Sequence, residues 1–132
     1  MDPRFVEEPY PFQSHLGFEL TEWREGFARF EQPVADHLGN RHGNLHGGVH
    51  ATLLDTAMGY AGCWTGEPER RQLALTLSLT VNYLGRSEGQ RMIAEARLTG
   101  GGRRSFFAEG EVCDEDGVVL ATGSGVFRYR DG

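Results

Sequence analysis

Asn40-Arg41-His42-Gly43-Asn44-Leu45-His46-Gly47-Gly48-Val49-His50-Ala51-Thr52-Leu53-Leu54-Asp55-Thr56-Ala57-Met58-Gly59-Tyr60-Ala61-Gly62-Cys63-Trp64 is a polar, glycine-rich loop that runs into a helical pattern. Leu54, Ala57, Met58 and Ala61 fall at the i, i+3, i+4, i+7 spacing of a buried stripe, so a helix is expected over 47–64, ended by Gly66 and Pro68. At about 100° per residue, Gly48, Ala51, Thr52, Asp55, Gly59 and Gly62 share a second arc about 100° wide. Glycine costs a helix about 1 kcal/mol relative to alanine. A face of small residues around one acid therefore points to close approach by a backbone or a ligand.

Outward from this helix, the chain reads as strand. Residues 18–23 and 27–32, around Arg24-Glu25-Gly26, suggest a hairpin. After the helix, Leu73, Leu75, Leu77, Leu79, Val81 and Tyr83 alternate with Ala74, Thr76, Ser78, Thr80 and Asn82. That unbroken period of two predicts a half-buried central strand. Strands are expected over 92–98, 105–113 and 118–129, separated by Gly100-Gly101-Gly102 and Asp114-Glu115-Asp116-Gly117. Ala108, Gly110, Ala121, Gly123 and Gly125 would form a trough in which the helix lies close to the sheet. Residues 1–14 hold three of the five prolines and read as an extended arm or a short helix. The expected architecture is α+β, an antiparallel sheet of about six strands curled around one long central helix, in a single domain over 1–132.

The net charge of −6 argues against non-specific binding to nucleic acid or a membrane surface, which needs a basic field. Two cysteines, Cys63 and Cys113, make neither a disulfide framework nor a zinc site. With no secretory h-region and no apolar run of about 20 residues, a cytoplasmic setting is expected.

His46-Gly47-Gly48 opens the helix, where the first N–H groups are unpaired and carry the positive end of the dipole. That is the recipe for an oxyanion hole, and Asp55 supplies a carboxylate that can attack or activate water. Asp55 lies eight residues beyond Gly47, about 12 Å along the axis. A reacting carbon must sit about 3 Å from both groups. One helix cannot supply both, so a shared site requires two copies of the chain, as an isologous dimer with composite sites at its interface.

The Asn40…His46-Gly47-Gly48…Asp55 spacing resembles the phenylacetic-acid-degradation (PaaI) type of hotdog-fold acyl-CoA thioesterases. Leu16-Gly17-Phe18-Glu19-Leu20 and residues 75–84 add to the likeness, which runs over roughly 14–129. The resemblance implies hydrolysis of acyl-CoA, with CoA entering as part of the substrate and no separate cofactor. It implies Asp55 as nucleophile or general base, the Gly47 N–H as oxyanion donor, Asn40 orienting the carbonyl or water, and His46 supporting the loop. A strand hydroxyl assists in some relatives, with Thr76 the best match and Ser78 the second choice. Relatives often carry Arg-Pro after that strand; here Leu84-Gly85-Arg86-Ser87 displaces the arginine by one. Arg86, Arg103 and Arg104 are candidates for the CoA phosphates, and Gly48 for substrate contact. The resemblance implies homodimers, often paired into tetramers.

Two rival functions share the fold, a non-catalytic acyl-CoA-binding module and an enoyl-CoA hydratase pairing His46 with Asp55. His42, His46 and His50 do not read as a metal site: Gly47 stands where a zincin has glutamate, and Asp55 is about 140° around the helix from His50. Cys63 reads as a buried small hydrophobe, and Arg70-Arg71 as part of a solvated loop. Trp23, Tyr60, Trp64 and the arm are expected to line the acyl pocket.

Overall fold

A computed structural model describes residues 1–86 and 88–131. The arm is a single 3-10 turn, Pro3–Phe5, followed by helix α1, Pro11–Leu16. Pro11 presets the first helical turn, and Gly17 closes it in the left-handed region at φ 93°, its N–H bonded to Gln13 O. The helix thus runs two residues past the expected end of the arm.

Strands β1 (Glu19–Arg24) and β2 (Phe27–Pro33) form the first hairpin. Helix α2 spans Gly47–Ala61, and β3 (Leu73–Tyr83), β4 (Arg91–Gly101), β5 (Ser105–Asp114) and β6 (Val119–Arg130) follow. Among the described residues, the six strands form one antiparallel sheet in the order β1-β2-β4-β5-β6-β3. The sheet curls around α2, whose stripe of Leu53, Leu54, Ala57, Met58 and Ala61 is buried against Phe30, Met92, Phe106 and Phe127. The trough is present: a Cβ on Gly123 would lie 3.1 Å from Leu54, and one on Gly125 would lie 3.3 Å from Met58. Helix α2 ends three residues earlier than expected. Its cap is Gly62, which lies against the Phe106 ring where a Cβ would come within 2.2 Å, and the chain leaves the helix there, before Gly66.

Strand β3 departs from its expected role in two ways. It is an edge strand, paired only with β6, not a central one. Its alternation is broken by a bulge between Thr76 and Ser78. Before the bulge, Ala74 and Thr76 face inward and Leu75 points out beside Arg128; after it, Leu79 and Val81 face the core. One extra residue reverses which parity faces the helix. Leu75 and Leu77, expected on the buried face, are 50% and 60% exposed. Strand β4 similarly continues through Gly100 and Gly101, past a bulge at Leu98, where a turn was expected. No helix among the described residues is long and apolar enough to cross a membrane.

Candidate active site

The loop before α2 is built around Asn40. Its Oδ1 accepts the N–H groups of His42 (2.9 Å) and Asn44 (3.1 Å), and its own N–H bonds to Asn44 O. The carbonyl end of the side chain is therefore spent on the turn, an asparagine's common loop role. Its Nδ2 has no partner among the described residues and remains as a donor.

His46 N–H bonds to Leu38 O, and His46 then caps the helix, its Nδ1 accepting the Gly48 N–H at 2.8 Å. An accepting Nδ1 carries no proton, and the ring ties the loop to the start of the helix. Val49 N–H bonds to His46 O. The Gly47 N–H is left without a partner among the described residues. The two glycines separate here: Gly48, a candidate substrate contact, has given its N–H to the cap, while Gly47 keeps its own free.

Both glycines also lie close against neighbouring rings. A Cβ on Gly48 would sit 2.9 Å from His46 Nδ1, and one on Gly47 would sit 3.1 Å from Cε1 of Tyr83. The Tyr83 hydroxyl donates to Gly47 O at 2.5 Å, and its ring meets His50 edge-on with centroids 5.6 Å apart. His50 is buried, and its Nδ1 is unpartnered among the described residues. Burial lowers its pKa, with the His46 and Gly47 backbone opposing the shift, and it faces the core rather than a shared metal site with His42 and His46.

Asp55 lies two turns further along α2, half-buried, its Oδ1 accepting from Thr76 Oγ1 at 2.7 Å. The bulge decides between the two candidate hydroxyls: Thr76 is inward, while Ser78 follows the bulge and pairs with the outward Val126. Asp55 opens onto a cavity of about 300 Å³ with Phe5, Trp23, Tyr60 and Phe127 in its walls. His46 and Gly48 border a different cleft, lined also by Phe12, His37 and Thr52. Asp55 and the residues either side of Gly47 therefore border separate spaces on one chain.

The arm forms part of the first cavity. Phe5 packs on Trp64 (centroids 4.3 Å) and meets Trp23 edge-on, so Trp64, expected in the lining, lies behind Phe5 instead. Glu7 accepts from the Tyr60 hydroxyl at 2.5 Å and pairs with Arg71. Burial, then Glu7, pushes the Tyr60 phenol well above its ordinary range. Arg70 and Arg71 are exposed, as expected of a solvated loop, and they also border this cavity. No local pattern reveals Glu7, Tyr60 and Arg71 as a group, because they lie 53 and 64 residues apart.

The phosphate candidates are not brought together. Arg86 donates to Asn44 Oδ1 (3.3 Å) near the loop, whereas Arg103 and Arg104 are exposed on the β4–β5 hairpin, beyond the other end of α2. Ser87, the end of the displaced arginine motif, lies outside the described residues. Burial raises the Cys63 thiol to about 11, so it stays protonated at neutral pH.

Comparison with known proteins agrees with this geometry. Residues 42–121 match the family model of the thioesterase superfamily. A thioesterase family protein from Silicibacter pomeroyi is 29% identical, with 93% of this chain and 91% of that one aligned at a TM-score of 0.81. A conserved protein from Pseudomonas aeruginosa is 28% identical over 98% of each chain, at a TM-score of 0.84. The PaaI protein of the E. coli phenylacetic acid degradation operon, 22% identical over 93% of this chain and 86% of its own, shares the fold at a TM-score of 0.81. No curated protein sequence matches the chain. With more than half of its length matched by the family model, and with the curled sheet and central helix of the hotdog fold, the chain belongs to the thioesterase superfamily, a family of thioester-hydrolysing enzymes.

Proposed function

We propose that the protein hydrolyses an acyl-CoA thioester to the free acid and CoA, in a site built by two copies of the chain. The layout of α2 carries this reading: an unpaired Gly47 N–H at the helix start, between the two residues that border one cleft, and the Thr76-bonded Asp55 eight residues on, lining another. At about 1.5 Å per residue they stand about 12 Å apart along the axis, beyond the reach of one carbonyl. The Gly47 N–H of one copy therefore serves the thioester oxygen, and Asp55 of the other serves its carbon. Asp55 either attacks that carbon or takes the proton of the attacking water; by both routes the C–S bond breaks and CoA leaves as the thiol. Asn40 Nδ2 orients the carbonyl or the water, and His46 keeps the donor loop in place. Thr76 holds Asp55, and Gly48 contributes room for the His46 ring rather than a donor.

Edge strand β3 supports the pairing. The outer edge of this eleven-residue strand has no partner strand among the described residues, and with Leu75 and Leu77 exposed it offers an apolar edge that a second copy can cover about a two-fold axis. A further pairing of dimers is not required by the chemistry. The aromatic cavity beside Asp55 takes the acyl group. Arg86, close to the donor loop, is the arginine best placed for a CoA phosphate, with Arg103 and Arg104 reaching from the far end of α2. Turnover of a panel of aryl- and fatty-acyl-CoAs, followed by thiol release, tests the reading. Asp55→Asn should lower kcat by about 10²–10⁴-fold. No turnover across the panel would overturn it.

A further inference from the structure

We propose that Tyr83 is a positioning residue for the oxyanion donor: its hydroxyl and ring clamp the Gly47 peptide and keep the free N–H aimed at one point. The catalytic consequence rests on the thioesterase reading; the clamp itself does not.

Gly47 poses a mechanical problem. Its Cα lies close under Tyr83, so that a Cβ would come 3.1–3.2 Å from the ring and hydroxyl. Glycine is the residue with the widest backbone freedom, and a donor kept unpaired for substrate has no hydrogen bond of its own to restrain it. The restraint has to come from either side. On one side, His46 is tied through its N–H to Leu38 O and through its ring to the Gly48 N–H. On the other, the Gly47 carbonyl receives the Tyr83 hydroxyl at 2.5 Å. The Tyr83 ring is in turn braced edge-on by His50, one turn along the same helix.

The bulge in β3 makes this possible. Thr76 and Tyr83 differ by seven positions, so a regular strand would place them on opposite faces. The extra residue between Thr76 and Ser78 turns both toward α2, Thr76 onto Asp55 and Tyr83 onto Gly47. One strand thus holds the acid at mid-helix and the donor at the helix start.

Tyr83→Phe tests the clamp, since it removes the hydroxyl and keeps the ring. The expected result is a kcat about 5- to 30-fold lower with KM changed less than about twofold, because the lost restraint matters where charge develops on the oxygen. Affinity for a trifluoromethyl-ketone analogue of acyl-CoA, which presents a tetrahedral oxyanion, should fall by the same factor. Affinity for a CoA thioether, which presents none, should stay unchanged. Nitrogen-15 relaxation and amide exchange at Gly47 should show greater mobility in the variant, with the remaining amides of α2 unaffected. Unaltered Gly47 mobility overturns the clamp, and wild-type kcat despite a loosened Gly47 overturns its catalytic consequence. If the wild-type protein hydrolyses no acyl-CoA, the thioesterase reading fails, and Gly47 mobility alone then decides whether Tyr83 is a clamp.

Discussion

Mixing two inactive variants gives the most direct measure of whether the site is shared. Asp55→Asn keeps an oxygen to accept the Thr76 hydroxyl and removes the charge. Gly47→Pro removes the donor N–H. Proline suits the first helical position, and His46 at φ −67°, ψ 133° already has the extended conformation that a residue before proline prefers. The added ring must displace Tyr83 by a few tenths of an ångström, so thermal unfolding should accompany the kinetics. Separately, the variants should lose about 10²–10⁴-fold and about 10²–10³-fold in kcat. Refolded together at equal concentration, half of the dimers pair one variant with the other. In a composite site, each such heterodimer has one intact site and one doubly defective site, so activity should return to about a quarter of wild type. The reverse mixture, wild type with the Asp55→Asn/Gly47→Pro double variant, should also give about a quarter, because every heterodimer site has one defect. A site within one chain predicts background activity in the first mixture and about half of wild type in the second. That pair of results would refute the 12 Å reasoning.

Other perturbations follow from the hydrogen bonds of the cavity and the helix start. Thr76→Val should lower kcat by about 3- to 30-fold and Thr76→Ser should restore most of it, read by steady-state thiol release; equal rates for both would separate Thr76 from the chemistry. Glu7→Ala should cost about 1–2 kcal/mol in urea unfolding by orphaning the Tyr60 hydroxyl. Glu7→Gln, which keeps an acceptor and loses only a partly exposed ion pair with Arg71, should cost about 0.5 kcal/mol or less. The pKa of His50 is lowered from 6.5 in the folded chain, so its contribution is complete above about that pH and declines as pH falls, because the unfolded chain binds the proton more readily. Relative to His50→Phe, the wild type should lose stability between about pH 7 and pH 5, by no more than about 1.4 kcal/mol per pH unit. A difference that stays flat with pH would exclude a buried neutral ring.

Periodicity alone determined the central helix, its buried stripe and the run of strands after it, and chain distance showed that Gly47 and Asp55 stand too far apart to meet at one carbonyl. Each depends on residues close in sequence: Leu54, Ala57, Met58 and Ala61 share a face through helix geometry, and the span from Gly47 to Asp55 follows from rise per residue. The nearness of Asn40, His46 and Gly47 was equally readable, because one loop–helix junction carries all three, as was the place of Asp55 two turns along the same helix. Tertiary structure decided what depends on partners remote in the chain. The bulge in β3 carries no signature in an alternating Leu-Thr-Leu-Ser-Leu run, yet it reverses the inward face and brings both Thr76 and Tyr83 onto α2. The edge position of β3 follows from which strands pair, not from its own composition. Gly48 reads as a substrate contact until the His46 ring is seen taking its N–H, and nothing near Arg71 in the sequence reveals its pairing with Glu7 of the arm. Local sequence specifies a residue's backbone and face, but its hydrogen-bond partner is settled only where the folded chain brings two distant segments together.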